Sequence, residues 1–417
     1  MRLLYQFLFC AWVVLSAAAC HAQQSWPEYR GVDGAGQVAA GVIPADFSKS
    51  KIQWKVPVPG RAWSSPVIWG KQVWVTTATR DGKKMSALCF DLQTGEQIHD
   101  ILIHTNKTVQ ECHNANTYAS STPAIEQGRV YVHFGRYGTS CVDTDTGEIR
   151  WQRTDILCDH FRGPASSPIL SDKLVMFAMD GIDQQFVTAL DKETGDTVWT
   201  TPRNIDYGTD KGDFKKAYGT GTLVDVDGER LLILPSAVAT IAYNITNGKP
   251  RWTIRHGGMN ASARPQKTGF GTVLITNGMG KLVSVAVDGQ GDTTDTHVRY
   301  TRSKVVAVKS TLVIVNNLAF MVDDKGVASC FDTKTGQEKW AKRLAGKCAA
   351  SLVTDGEKVL SLRESGAIHV FAASDQFKLL STTKKFADGF HASPAAINGT
   401  LILRSKTHLF CIQGNQN

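Results

Sequence analysis

Nine residues carry side chains suited to recognising an anion or a sugar: Arg61, Trp63, His113, Asn116, Tyr118, His160, Arg162, Tyr218 and His391. Guanidinium groups pair with carboxylate or sulfate, aromatic faces stack on sugar rings, and imidazole moves protons near neutral pH. Asn260 belongs with them, and Arg136, Tyr137, Asp180 and Asp183 form a second tier. The nine lie in GRAWSSP, ECHNANTYASSTP, CDHFRGPASSP, KKAYGTGT and GFHASP, each shortly before a small-residue pair that opens an apolar run. His160 or His113 as base, with Arg162 or Arg61 neutralising charge, would suit a hydrolase or lyase acting on an acidic or sulfated polysaccharide. Against that, the chain has no GxSxG, no HExxH and no pair of carboxylates at a defined spacing, and its histidines fix no metal geometry; no metal site is assigned. Polar residues in such loops also serve simply to brace neighbouring elements.

The elements that must position these residues repeat. Small-pair starts occur at Ser64, Ser121, Ser166, Gly221, Ala263, Ser310, Ala350 and Ala392, 40 to 57 residues apart. A second mark follows five of these starts at a distance, best seen in SCFDTKTGQEKW from Ser329 to Trp340. CVDTDTGEIRW ends at Trp151, TALDKETGDTVW at Trp199 and AYNITNGKPRW at Trp252, while CFDLQTGEQIH ends on His99. Asp and Thr side chains satisfy turn amides, Gly takes the positive φ of the hairpin, and Trp offers a broad face to the next sheet. Four short strands per unit, each bounded by Gly, Asn or Asp, predict an all-β, eight-bladed propeller. The last unit supplies only three runs, so IQWKVPV near the N-terminus is expected to close the ring as its fourth strand. The expected division is a signal peptide over 1–22, an N-terminal extension over 23–50 and one propeller over 51–417.

Composition fits this reading. Hydrophobic residues make up 42% and charged residues 20%, enough for a large core and without the signature of disorder. The net charge of +8 is scattered singly, which argues for a solvated surface and against a nucleic-acid stripe. One Arg followed by an apolar run from Leu3 to Leu15 and then SAAACHAQQ reads as an export signal, too short to span a membrane. Cleavage after Ala22 would release a soluble protein to the periplasm or beyond; cleavage before Cys20 would place a lipid-bearing cysteine first and anchor the chain at the outer membrane. Of the later cysteines, Cys89, Cys141, Cys330 and Cys411 sit in apolar strands as small hydrophobes. Cys112 and Cys158 stand at matching places in successive loops and are expected to form a disulfide, with Cys348 a rival partner and free thiols the alternative.

The apolar strand, Asp-x-x-Thr-Gly turn and Trp together resemble the PQQ-type repeat of quinoprotein alcohol dehydrogenases and of the outer-membrane assembly lipoprotein BamB. WPEYRG from Trp26 to Gly31, with GRAWSSP, NTYASSTP and FRGPASSP, is similar to exported bacterial propellers described as PQQ-binding-like. The resemblance covers nearly all of the chain after its first residues. It implies a β-propeller at the cell envelope, and it is weak for activity because propellers host unrelated functions. The quinoprotein pocket uses two adjacent cysteines, a Trp floor and a calcium held by Glu, Asn and Asp. Trp63 matches the stacking surface, but no two cysteines are adjacent and no acid-rich set is found; PQQ with calcium is therefore disfavoured and no cofactor is expected. The leading expectation is an exported, non-catalytic binding or assembly module, whose partner is an envelope protein or an anionic or carbohydrate ligand.

Overall fold

Two small devices, repeated along the chain, build the architecture in the computed structural model, which describes residues 25–414. The export signal and Cys20 lie outside the described residues. The first device is the Asp-x-x-Thr-Gly turn. Asp332 Oδ1 accepts the amides of Lys334 and Thr335 at 2.9 and 2.8 Å, and the Gly336 amide donates back to the Asp332 carbonyl at 2.8 Å. Gly336 has φ 75°, a conformation that costs a residue with a Cβ. Asp91, Asp143 and Asp191 hold equivalent turns.

The Trp beyond each turn does more than pack. Trp340 Nε1 donates to the Ser374 carbonyl of the next blade at 2.9 Å, and Trp54, Trp151, Trp199 and Trp252 donate likewise to Leu92, Lys192, Ile245 and Val287. Where Trp is missing, the Tyr300 hydroxyl reaches Thr333 and the His99 ring reaches Thr144. The ring face covers the next blade's turn glycine so closely that a Cβ on Gly95 or Gly195 would lie 2.7 Å from Trp54 or Trp151. Seven of the eight outer hairpins are thereby stapled to their neighbours; in the seventh blade Ser381 stands at the ring's place and makes no such bond among the described residues.

The second device is the small-residue pair. The Ser65 amide donates to Thr122 Oγ1 at 2.9 Å, Thr122 to Ser167 Oγ at 3.0 Å and Ser167 to Thr220 Oγ1 at 3.1 Å. The chain of bonds resumes from Arg264 to Thr311, Ser351, Ser393 and back to Ser65, each at 2.9 Å. A belt of hydroxyls thus runs around the axis, joining each innermost segment to the next, with one break between Thr220 and Arg264. The bonding puts Thr220, not the pair at Gly221, in register with the other starts.

These devices close eight sheets into a ring. A typical blade is the sixth, with strands Val313–Val315, Leu318–Val322, Val327–Asp332 and Glu338–Arg343, all antiparallel. The eighth takes Ala395–Ile397, Thr400–Arg404 and His408–Gln413 from the C-terminal end and Ile52–Pro57 as its outermost strand, so the ring is closed by the N-terminal strand as expected. The fourth blade gains a parallel outer strand, Gly291–Asp292. Apolar side chains fill the wedges between blades; Val73, Leu88, Leu360, Leu403 and Phe410 belong to one such wedge spanning the closure.

Residues ahead of the closing strand have a task the repeats do not announce. Ser25–Trp26 adds to the innermost strand of blade 1, and the Pro27 carbonyl accepts from Ile125 in blade 2 at 2.7 Å. Arg30, fully buried, donates to the carbonyls of Leu312 in blade 6 and Leu352 in blade 7 at 2.8 and 2.6 Å. Arg264 stands where other blades have a belt hydroxyl, and its guanidinium reaches back to Glu28 at 2.8 Å and the Tyr29 carbonyl at 2.6 Å. WPEYRG therefore crosses beneath the axis and plugs one end of the ring.

Candidate functional site

With one end plugged, the axis becomes a cup. A cavity of about 640 Å³ opens on the side opposite the plug, and Tyr29 forms its floor, its hydroxyl 2.8 Å from belt residue Ser351 Oγ. Ser65, Thr122, Ser167, Thr220 and Ser393 of the belt line it lower down, while the wall above comes from the loops that lead into the innermost strands.

Six of the nine sequence candidates meet there: Trp63, His113, Asn116, Arg162, Tyr218 and His391. Trp63 and His391 stack with ring centroids 4.1 Å apart and planes 20° from parallel. Burial pushes the His391 imidazole down to about 4, against the pull of Glu364, so it is neutral at neutral pH. Arg61 lies just outside, its guanidinium 5.5 Å over the Trp63 ring and donating to the Asn114 carbonyl. Arg162 spends Nη2 on Asp213 at 2.9 Å. Asn116 is fully committed to bracing: its amide donates to the carbonyls of Arg162 and Pro164 at 3.0 and 3.2 Å, and Oδ1 accepts from Thr117 and Ser120.

The remaining candidates are structural. The Tyr118 hydroxyl donates to the Gln110 carbonyl at 2.8 Å and its ring packs edge-on against Tyr137, away from the cavity. Asp180 is buried in a two-oxygen ion pair with Arg203 at 2.7 and 2.8 Å, and Asp183 caps the Asp159 amide beside a separate, shallower depression lined by Ile205–Asp210. His160 is 4% exposed and sits behind the cavity wall. Its Nε2 accepts the Arg136 amide at 3.0 Å and its Nδ1 is 2.7 Å from Lys216 Nζ. The expected disulfide between Cys112 and Cys158 is absent, and Cys348 pairs with neither; all three are free thiols. Cys158 Sγ lies over the His160 ring, 3.6 and 3.7 Å from its two nitrogens, while Cys112 Sγ is directed at the Arg162 carbonyl at 3.8 Å, so the imidazole takes up the contact a disulfide would have made.

Residues that reasoning from sequence did not select complete the cup. Tyr29 is its floor, and Lys309 faces Glu364 across 3.7 Å at its rim. Three buried polar atoms around the cavity have no partner among the described residues: Trp63 Nε1, Arg162 Nε and Asn260 Oδ1. Buried polar groups are ordinarily satisfied, so these two donors and one acceptor, all on cavity-lining residues, are exceptions to the rule.

A family model described as outer membrane protein assembly factor BamB matches residues 35–154 and 183–377. No curated protein sequence matches the chain. Among solved structures, BamB from Moraxella catarrhalis aligns with a TM-score of 0.61 at 14% identity, over 87% of this chain and 99% of that one. The quinohemoprotein alcohol dehydrogenase from Comamonas testosteroni gives 0.71 at 11% identity, over 96% and 82%. A europium-containing methanol dehydrogenase gives 0.70 at 11%, over 94% and 98%. At such identities the likeness is one of fold.

Proposed function

The chain belongs to the family described as outer membrane protein assembly factor BamB, and from that premise we propose that it is an exported, non-catalytic binding module of the cell envelope whose axial cup receives its partner. The observation that carries this reading is the set of unpartnered polar atoms, Trp63 Nε1, Arg162 Nε and Asn260 Oδ1, around a cup closed at its far end by Tyr29. A closed floor excludes a through-channel and favours something that enters from one side and stops: a loop of a partner protein, or the end of an anionic glycan. Arg162, Lys309 and the neutral Trp63–His391 stack give that guest a charged contact and a flat one.

The polysaccharide hydrolase or lyase reading loses its first-choice base, because His160 is buried behind the wall with both ring nitrogens engaged. His113 remains at the cavity, and Glu364, its single lining carboxylate, is opposed by Lys309. A quinone with calcium fits this residue set poorly for the same reason: one carboxylate is too few to hold the cation, and no adjacent cysteines are present. Affinity capture from envelope membranes tests the proposal. The wild-type chain is expected to retain a partner that the Trp63→Ala, Arg162→Ala double variant releases; equal retention by both, or turnover of an acidic glycan by the wild type, would count against it.

A further inference from the structure

Loops of three successive blades bring Arg136, His160 and Lys216 together behind the cavity wall, and their protons can be assigned by elimination. The Arg136 backbone amide is a donor without alternatives, and it points at His160 Nε2 from 3.0 Å, so that nitrogen carries a lone pair. The ring proton of a neutral imidazole then sits on Nδ1, which faces Lys216 Nζ at 2.7 Å. Nζ itself donates to the Asp180 carbonyl at 2.7 Å. An ammonium at Nζ would set N–H against N–H; an amine accepts the Nδ1 proton and satisfies every group. The arrangement asks for a lysine without its charge.

We propose that Lys216 reacts as a free-base amine under mildly alkaline conditions in which surface lysines remain ammonium, forming an imine with a small aldehyde admitted through the central cavity. The partition between amine and cavity is the Tyr218 ring, whose centroid is 5.1 Å from Nζ and whose edge lines the cup. The Tyr218 amide is held by the Ala261 carbonyl at 2.8 Å, so admission of the guest requires the ring itself to turn aside. Arg162, paired with Asp213 through Nη2 but with Nε left without a partner, favours an aldehyde that also bears a carboxylate. The bookkeeping closes without any further reactant. The Nζ lone pair adds to the carbonyl carbon, the C–O bonds give way to C=N, and the two amine protons leave with the oxygen as water.

The surroundings agree. Burial pushes the Lys216 amine down to about 8, with Cys158, Asp180, Asp159 and Cys112 opposing the shift. The Asp180 carboxylate is already spent on Arg203. His160 is held well below the ordinary range by burial and then by Lys216, His133 and Arg136, while Cys158 and Cys112 are pushed up to about 12 and about 11 and stay neutral thiols. The charges near Nζ therefore come from Arg136, Asp159, Asp180 and Arg203, and none of these forms an ion pair with it.

Reductive trapping of the full chain with glyoxylate or glycolaldehyde and cyanoborohydride, read by peptide mass mapping, decides the matter. At pH 8 the expected result is an adduct on Lys216 forming about tenfold faster than on the exposed Lys384 and Lys385, faster with glyoxylate than with glycolaldehyde, and faster again in Tyr218→Ala. Its rate should level off above about pH 8 to 9, whereas the rate at the surface sites should keep climbing with pH beyond that range. Surface adducts with none on Lys216, or a Lys216 rate that rises in parallel with the surface sites, would overturn it. The pH profile is measured on the wild type, so the result stands even if Lys216→Met does not fold, and it is independent of whether the cup holds a macromolecular partner.

Discussion

Glu28 and Arg264 form an enclosed ion pair, 2.8 Å apart with side chains 11% and 1% exposed, which ties the plug to the fifth blade. Burial raises the Glu28 carboxyl while Arg264 pulls it back. Breaking one side leaves a guanidinium in a dry place, so Glu28→Ala is expected to cost about 3–5 kcal/mol in urea unfolding, and Glu28→Met with Arg264→Leu to recover most of it. A Glu28→Ala chain as stable as wild type would mean that the plug is held by its backbone alone. At this scale the sequence told residue type but not commitment. Trp63, Arg162, Tyr218 and His391 were visible as candidates because aromatic and cationic side chains clustered before strand starts. Asn116 and Tyr118 looked the same on paper, and only the carbonyls they meet across the loops show them to be braces. Lys216 gave no signal, since its state follows from an amide, an imidazole and a carbonyl that three distant segments supply.

The element most readily read from the sequence was the outer hairpin. Its Asp, Thr, Gly and Trp act within a dozen residues, and local hydrogen bonding leaves a periodic trace. His99 broke that trace, yet its ring still reaches the next blade, because a ring nitrogen at the same place meets the same carbonyl. The inner start of blade 4 was misplaced by two residues: Thr220 carries the belt bond, but Gly221 stands where other blades have Pro and hides the register. The staples predict graded losses. Trp199→Phe keeps most of the packing and forfeits the donation to Ile245, a cost of about 1 kcal/mol, whereas Trp199→Ala empties a buried site at about 3–5 kcal/mol. Denaturant midpoints measured for the pair check this; equal losses would place the energy in the hydrogen bond rather than in the ring.

For the whole molecule, ring closure was legible because three runs at one end and one orphan run at the other can be counted. The plug was not, since WPEYRG occurs once and has no period. Its consequence is the largest in the structure: a ring with a sealed floor presents one working face, and the cavity with Trp63, Arg162 and His391 opens there. Site-specific photo-crosslinking in living cells addresses this claim most directly. Benzoylphenylalanine would be placed at Ala115 on the cup's rim and, for contrast, at Val198, an exposed position on an outer strand of blade 3. A discrete crosslinked envelope component from position 115 and none from position 198 is the predicted result. Capture at 198 with none at 115 would contradict it, placing the partner on the outside of the ring.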